Sequence, residues 1–288
     1  MSRQETGPRR ESQHVKTGLR HEHDLQRTGA NRCATLAGVS LSEDDYAPGQ
    51  RQPMHAHHFT SIGIVIKGGV EERFSSHTEQ AGPCSVVIKP PGVPHSDRYS
   101  PNGARMFAVR LPEASLAIIQ GSEAVFQDYN WFHGGPIAAI ALRLYASFRS
   151  VESELDLVLQ ECLCEMAAEF DSCNSHRSGD PPRWLTRIVE LLEGCYCRPL
   201  QIRDLAREAE VHPVYLARAF RRWYGCSISE YIRRRRVKTA CGLMASTSAT
   251  LTDVALQSGF ADQPHFNRIF KAETGMTPNR YRRLLREG

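Results

Sequence analysis

Residues 218–234 read RAFRRWYGCSISEYIRR, and residues 268–284 read RIFKAETGMTPNRYRRL. Laid over one another at a spacing of fifty, Arg218 meets Arg268, Phe220 meets Phe270 and Arg221 meets Lys271. Gly225 then meets Gly275, Ser227 meets Thr277 and Tyr231 meets Tyr281. Upstream, one residue out of step, DLAREAEVHP (204–213) answers DVALQSGFAD (253–262). Self-similarity at a fixed period means two copies of one supersecondary unit.

Each unit reads as helix, tight turn, helix. In the second copy Thr250 and Asp253 form a capping box that opens a short helix, and Gly259 permits the left-handed turn that stops it. Asp262 can cap the next helix, whose first turn tolerates Pro264 and which ends at Gly275. The first copy is weaker, because Gln201 stands at the cap and Glu210 replaces the turn glycine. A short helix, a sharp turn and a second helix is the arrangement that lays its second helix in the DNA major groove.

Phe266, Ile269 and Phe270 anchor the second reading helix, leaving Gln263, Asn267, Arg268 and Lys271 to project outward. Arg can read guanine, and Asn or Gln adenine, through paired hydrogen bonds. Val214, Ala217, Arg218 and Arg221 hold the matching places in the first copy, where Val214 offers only apolar contact to a thymine methyl. The segment Ser229–Ala245 reads as one joining helix of about 25 Å, a strut for two helices in grooves about 34 Å apart. Arg233–Arg236 wrap around it, so only one or two of them can face phosphate. Gly242 sits in its middle at a cost of about 1 kcal/mol relative to Ala.

The charge distribution agrees. Residues 183–288 hold 19 Lys+Arg against 10 Asp+Glu, a balance of +9, and the remaining 17 basic and 22 acidic residues give −5. A basic half and an acidic half imply two domains with different partners, and a basic face draws nucleic acid.

The C-terminal segment resembles the DNA-binding domain of the AraC family of bacterial transcription regulators. The resemblance covers about 183–286, and GFADQPHFNRIFKAETGMTPNRYR matches the family signature nearly throughout. It implies a sequence-specific regulator binding promoter half-sites as a homodimer, with a small-molecule effector and, for an activator, RNA polymerase as further partners.

The chain as a whole is expected to be α+β, with strands and helices preceding this all-α domain of two helix-turn-helix units. Residues 1–30 carry few apolar residues and read as a disordered leader, in which His21 and His23 are a chance pair. Short β-type runs from Gly49 to Leu111 predict a small antiparallel barrel or sandwich. Helical stripes follow, one through Ile137, Ile140, Leu144 and Phe148, another through Leu155, Val158 or Leu159, Cys162, Met166 and Phe170. The second stripe is assigned either to the core or to a dimer face. The expected domains are 31–170 for sensing and dimerisation, a polar linker over 171–182, and 183–288 for DNA.

Gly49, His55-Ala-His57 and Pro90-Pro91-Gly92-Val93-Pro94-His95 resemble the two signatures of the cupin fold, implying an N-terminal cupin-like β-barrel followed by helices. Cupin metal sites add a glutamate where this chain has Ser61 and Ile62. The expectation is therefore a metal-free effector pocket lined by His55, His57 and His95, with no cofactor. The rival reading is a metal-dependent cupin enzyme or metal sensor fused to the DNA-binding module. No nucleophile–base triad, phosphate-binding glycine loop or paired-carboxylate motif stands elsewhere, so no catalytic residue is assigned.

Nine cysteines without a Cys-x-x-Cys pair suit reduced, packed thiols rather than a zinc clamp or disulfide framework. With no run of eighteen apolar residues and no signal-like N-terminus, the expectation is a cytoplasmic protein without a membrane partner.

Overall fold

The computed structural model describes residues 30–118, 126, 128–150, 155–174, 181–198 and 200–286. The expected disordered leader lies outside these residues, except Ala30. Eight antiparallel strands come first: β1 (Ala30–Leu36), β2 (Val39–Tyr46), β3 (Arg51–His55), β4 (Thr60–Phe74), β5 (His77–Ala81), β6 (Ser85–Lys89), β7 (His95–Leu111) and β8 (Asn130–His133). Their order is β1-β2-β7-β4-β6-β8, with β3 also on β7 and β5 also on β4. A 3-10 turn, Glu113–Ile118, follows β7.

The two long strands β4 and β7 form the spine, and their pairing shifts register at Val65/Lys67 and Gly68/Val70. Such irregularities bend a sheet toward closure. Gly68 is indispensable to that bend. Its φ is +74°, and a Cβ there would lie 2.0 Å from the Gly103 carbonyl oxygen.

Strands β1, β2 and β8 were not foreseen. Ser42, Glu43 and Asp44 on β2 are all buried, so the strand shows charge where an alternating pattern would show apolar residues. Wholly buried Glu43 is matched from the next layer: Tyr145 Oη donates to it at 3.0 Å and Arg149 Nη1 at 2.9 Å.

Both donors lie on α1 (Gly135–Arg149), which with α2 (Leu155–Asn174) forms a helical layer. The predicted stripe Ile137, Ile140, Leu144 and Phe148 is buried. The second stripe corrects one of the two readings given to it. Leu159, Cys162, Met166 and Phe170 are 0–3% exposed and belong to the core of the chain itself. These residues are not free to form a dimer face, since their apolar surface is already covered from within. The expected linker 171–182 overlaps the end of α2, and 175–180 lie outside the described residues.

Seven helices follow: α3 (Arg183–Cys195), α4 (Ile202–Glu208), α5 (Pro213–Tyr224), α6 (Ile228–Ser246), α7 (Leu251–Gln257), α8 (Gln263–Thr274) and α9 (Pro278–Arg286). Helices α3–α5 share a core around Leu192, Leu205, Leu216 and Phe220. The second copy, α7–α9 with α6, merges its core with that of the sheet and α1, through Met244, Val254, Phe266, Phe270 and Tyr281. At this junction Cys84 Sγ lies 2.6 Å from Cys241 Sγ, both buried. All eight cysteines among the described residues whose side chains can be placed are free.

Candidate nucleic-acid interface and sensor site

The two reading helices are built by matching end groups. On α8 the Asp262 side chain accepts from the His265 amide at 2.7 Å, and on α5 His212 Nδ1 accepts from the Val214 amide at 3.3 Å. Gly225 and Gly275 close them in the left-handed conformation, with φ of 66° and 73°. The Thr250–Asp253 capping box opens α7 as predicted. A second one, Ser227–Glu230, opens α6. The S-x-x-E spacing was available in the sequence and marks the start of the strut.

Turn geometry separates the copies. Gly259 has φ +88°, and a Cβ there would meet the Cys197 backbone at 2.6 Å. Glu210, its counterpart, holds φ +53° with a side chain that disfavours it.

On α5, Val214, Ala217, Arg218 and Arg221 are all exposed. On α8, Arg268 and Lys271 are exposed and Gln263 and Asn267 are half-buried. Thr252 Oγ1 donates to Gln263 Oε1 at 2.7 Å, tying that side chain back to α7. The Asn267 Oδ1 atom is buried without a hydrogen-bond partner. The expected set on α8 is thus divided: Arg268 and Lys271 are exposed, whereas Gln263 is tied back to α7 and Asn267 is half-buried. Helix α1 also packs against α8.

The strut α6 is 19 residues long, about 28 Å. Its arginine run is mostly internal. Arg233 and Arg234 approach Glu273 at 3.7 Å, Arg235 pairs with Glu193, and Arg236 Nε donates to the Tyr196 carbonyl at 2.8 Å. Four consecutive arginines on a helix point in four directions, and here three neighbouring elements supply acceptors.

In the sheet, register assembles the histidines. His55 pairs opposite His95 across β3 and β7, and the Gly92 amide donates to the His57 carbonyl at 2.8 Å. One nitrogen from each of His55, His57 and His95 lies within 4.8 Å of the others. The Nδ1 atoms of His55 and His95 contact the Pro53 and Val93 carbonyls at 2.8 and 3.1 Å. Such contacts place the proton on Nδ1 and leave Nε2 as an inward lone pair. Burial, and then the Lys89 charge, hold the His95 imidazole well below its usual range, so it stays neutral.

These groups fit a divalent transition metal in donor type and, for His55 and His95, in the anchoring of the outer nitrogen. Tetrahedral coordination puts ligand nitrogens about 3.4 Å apart, so the rings would have to draw inward. Behind them lies a buried ion triad, Lys89 with Glu72 at 2.5 Å and Asp97 at 3.6 Å. The space left beside the histidines is only about 50 Å³, room for an ion or a water but not for a metabolite.

Two family models match the chain. A helix-turn-helix domain model covers 205–284 and an AraC-like ligand binding domain model covers 38–163. Over 98 residues the chain is 32% identical to the regulatory protein SoxS of Salmonella typhimurium, covering 34% of this chain and 92% of SoxS. It is 31% identical over 101 residues to the bifunctional transcriptional activator/DNA repair enzyme AdaA of Bacillus subtilis, covering 35% of this chain and 48% of AdaA. The crystal structure of ToxT from Vibrio cholerae aligns over 86% of this chain and 98% of that one, at 15% identity and a TM-score of 0.37.

The chain is a double helix-turn-helix, DNA-binding transcription regulator with an N-terminal ligand-binding domain. It belongs to the AraC family. Among the described residues, no helix is long and apolar enough to cross a membrane.

Proposed function

We propose that the chain controls transcription by placing α5 and α8 in successive major grooves of one promoter half-site. Arg218 and Arg268 are the base-reading residues in this account, and Arg221 and Lys271 are phosphate contacts. The observation that carries it is the repetition: two helices with matched caps present cations at matched, exposed positions. The first helix reads more than its composition suggested, because its whole outer face is open, with Val214 51% and Tyr215 56% exposed. Val214 and Ala217 supply apolar contact there, and Gln263 and Asn267 shape the edge of the second site. The regulator acts in the cytoplasm as a homodimer with a small-molecule effector, and it is not an enzyme. As an activator it contacts RNA polymerase. Selection of binding sites from random duplexes by the wild type and by single alanine variants tests the assignment residue by residue.

A second reading concerns the histidines. The anchored Nδ1 atoms of His55 and His95 and the small space beside the three rings support a metal-responsive centre at His55, His57 and His95, where a bound ion would supply a fixed positive charge. The carboxylate of cupin metal sites has no counterpart at Ser61 or Ile62, which supports sensing over catalysis. Elemental analysis of protein purified without a histidine tag decides between this and a metal-free site. One tightly held metal per chain, lost on His57→Ala, is the result that favours it.

A further inference from the structure

Where the sheet meets the C-terminal helices, Cys84 Sγ lies 2.6 Å from Cys241 Sγ, and Tyr281 Oη lies 3.5 Å from the Cys84 sulfur. The two cysteines are 157 residues apart in sequence and come from the two halves of the chain. Cys84 belongs to the turn before β6, and Cys241 to the strut α6. Both are buried, at 2% and 0% exposure.

The turn that holds Cys84 is Gly82-Pro83-Cys84-Ser85, closed by the Ser85 amide donating to the Gly82 carbonyl at 3.1 Å. The Cys84 amide donates to the Val65 carbonyl at 3.0 Å and ties the turn to β4. Cys84 takes the third position with a φ of +64°. A proline second and a left-handed residue third is the pattern that calls for glycine at the third place. The chain has cysteine there instead, a residue that disfavours this conformation, and its thiol is the group that meets Cys241.

Bonded sulfurs stand about 2.0 Å apart, so these two thiols need little further approach to join. We infer that Cys84 and Cys241 form a redox-modification site, whose oxidation by a peroxide joins the sensor covalently to the strut between the reading helices. One thiolate attacks a peroxide oxygen and becomes a sulfenic acid, and water leaves. The second thiol displaces that oxygen as another water and forms the sulfur–sulfur bond. Two thiols thereby give up two electrons and two protons, and one hydrogen peroxide becomes two waters. In the closed chain the pair is guarded. Burial, and then the contact with Cys84, hold the Cys241 thiol well above its usual range, and the thiol is the unreactive form. Lys238, three residues before Cys241 on α6, lines an interdomain cavity of about 510 Å³. The pair thus lies one helical turn behind a space that a small oxidant can enter, and a local opening of the seam exposes it. Reclosure then brings the second thiol to the first. The finished bond fixes the β6 turn to α6, so sensor and reader no longer part. This goes beyond the DNA-binding and metal readings and depends on neither.

The test uses the full chain, reduced completely and then treated with hydrogen peroxide. The single-chain species from a non-reducing denaturing gel is digested and its peptides are weighed by mass spectrometry. The expected product is a peptide containing Cys84 linked to one containing Cys241, released by dithiothreitol. The oxidised chain should also unfold at a midpoint higher by about 5 °C or more, because the link closes a long loop in the unfolded state. Dithiothreitol should abolish that rise. Cys84→Gly removes one sulfur and suits the turn, and Cys241→Ala removes the other inside a helix. Neither variant should give the linked peptide or the peroxide-dependent rise, and either alone suffices if the other fails to fold. Other cysteine pairings without this one, a linked pair with no rise in midpoint, or a rise that persists in the variants overturns the inference.

Discussion

Arg218 and Arg268 each stand six positions after the cap of their helix, His212 or Asp262, and seven before the left-handed glycine that ends it. Both are exposed. The relationship supports the proposal of equal roles for them in two equivalent frames. Each good bidentate contact to a base is worth about 1–3 kcal/mol of discrimination. Arg268→Ala should therefore flatten sequence preference in one half of a selected site, and Arg218→Ala in the other. Asn267→Ala should do less than Arg268→Ala, because its amide oxygen is buried. Arg221→Ala should weaken all sequences evenly, as loss of a phosphate contact does. A wild-type preference profile from Arg268→Ala would remove that residue from the reading surface.

Two positions are suboptimal for stability alone. Glu210 occupies a left-handed turn, and Gly242 lies inside α6 with open space where a Cβ would go. Glu210→Gly and Gly242→Ala should each raise stability by about 0.5–1 kcal/mol, additively because the sites are independent. Urea melts measure both. A loss of stability in Gly242→Ala would mean that the added methyl collides with something.

Met166 is 1% exposed in the helical layer. Met166→Asp places an unpaired charge in the core and should cost more than about 4 kcal/mol. Circular dichroism at ordinary temperature should show an unfolded N-terminal region. A folded monomer would instead restore α2 as a subunit interface.

Lys238 offers a pH-dependent reading of the interdomain cavity. Burial, and then the Arg235 charge, bring its ammonium down to about 8 from an ordinary 10.5. Between those values the unfolded chain binds more protons than the folded one, so the wild type gains stability as pH rises through that window. Lys238→Met should be more stable than wild type at pH 7, by up to about 3.5 kcal/mol for a shift from 10.5 to about 8 at about 1.4 kcal/mol per pH unit, with the advantage shrinking from pH 8 upward. Parallel stability curves across that range would show that the ammonium is not strained.

The repeat made the C-terminal half legible, because caps and turn residues obey local rules. Thr250, Asp253, Asp262, Gly225 and Gly275 each act over a few residues, and each stands where its chemistry requires. The histidines were legible as a motif, but the pairing of His55 with His95 is a matter of long-range register. Three things were hidden for the same reason. Buried Glu43 made β2 look exposed, since its partners Tyr145 and Arg149 lie a hundred residues away. Which of Arg233–Arg236 turn inward was not legible, because their acceptors, such as Glu193 and Glu273, come from other helices. The cavity holding Lys238 is formed by elements from both halves, and no window of sequence contains it.

The central claim is that two equivalent helices read DNA together, and salt-dependent binding of the full chain to a selected duplex tests it most directly. Each phosphate neutralised contributes about −0.9 to the slope of log K against log salt. The wild type should give a steep linear fall between low and physiological salt. Arg221→Ala and Lys271→Ala should each reduce the slope by about 1, and Arg218→Ala with Arg268→Ala should bring selected and scrambled duplexes to equal affinity. Binding that ignores salt, or a double variant that still separates selected from scrambled DNA, would contradict the account.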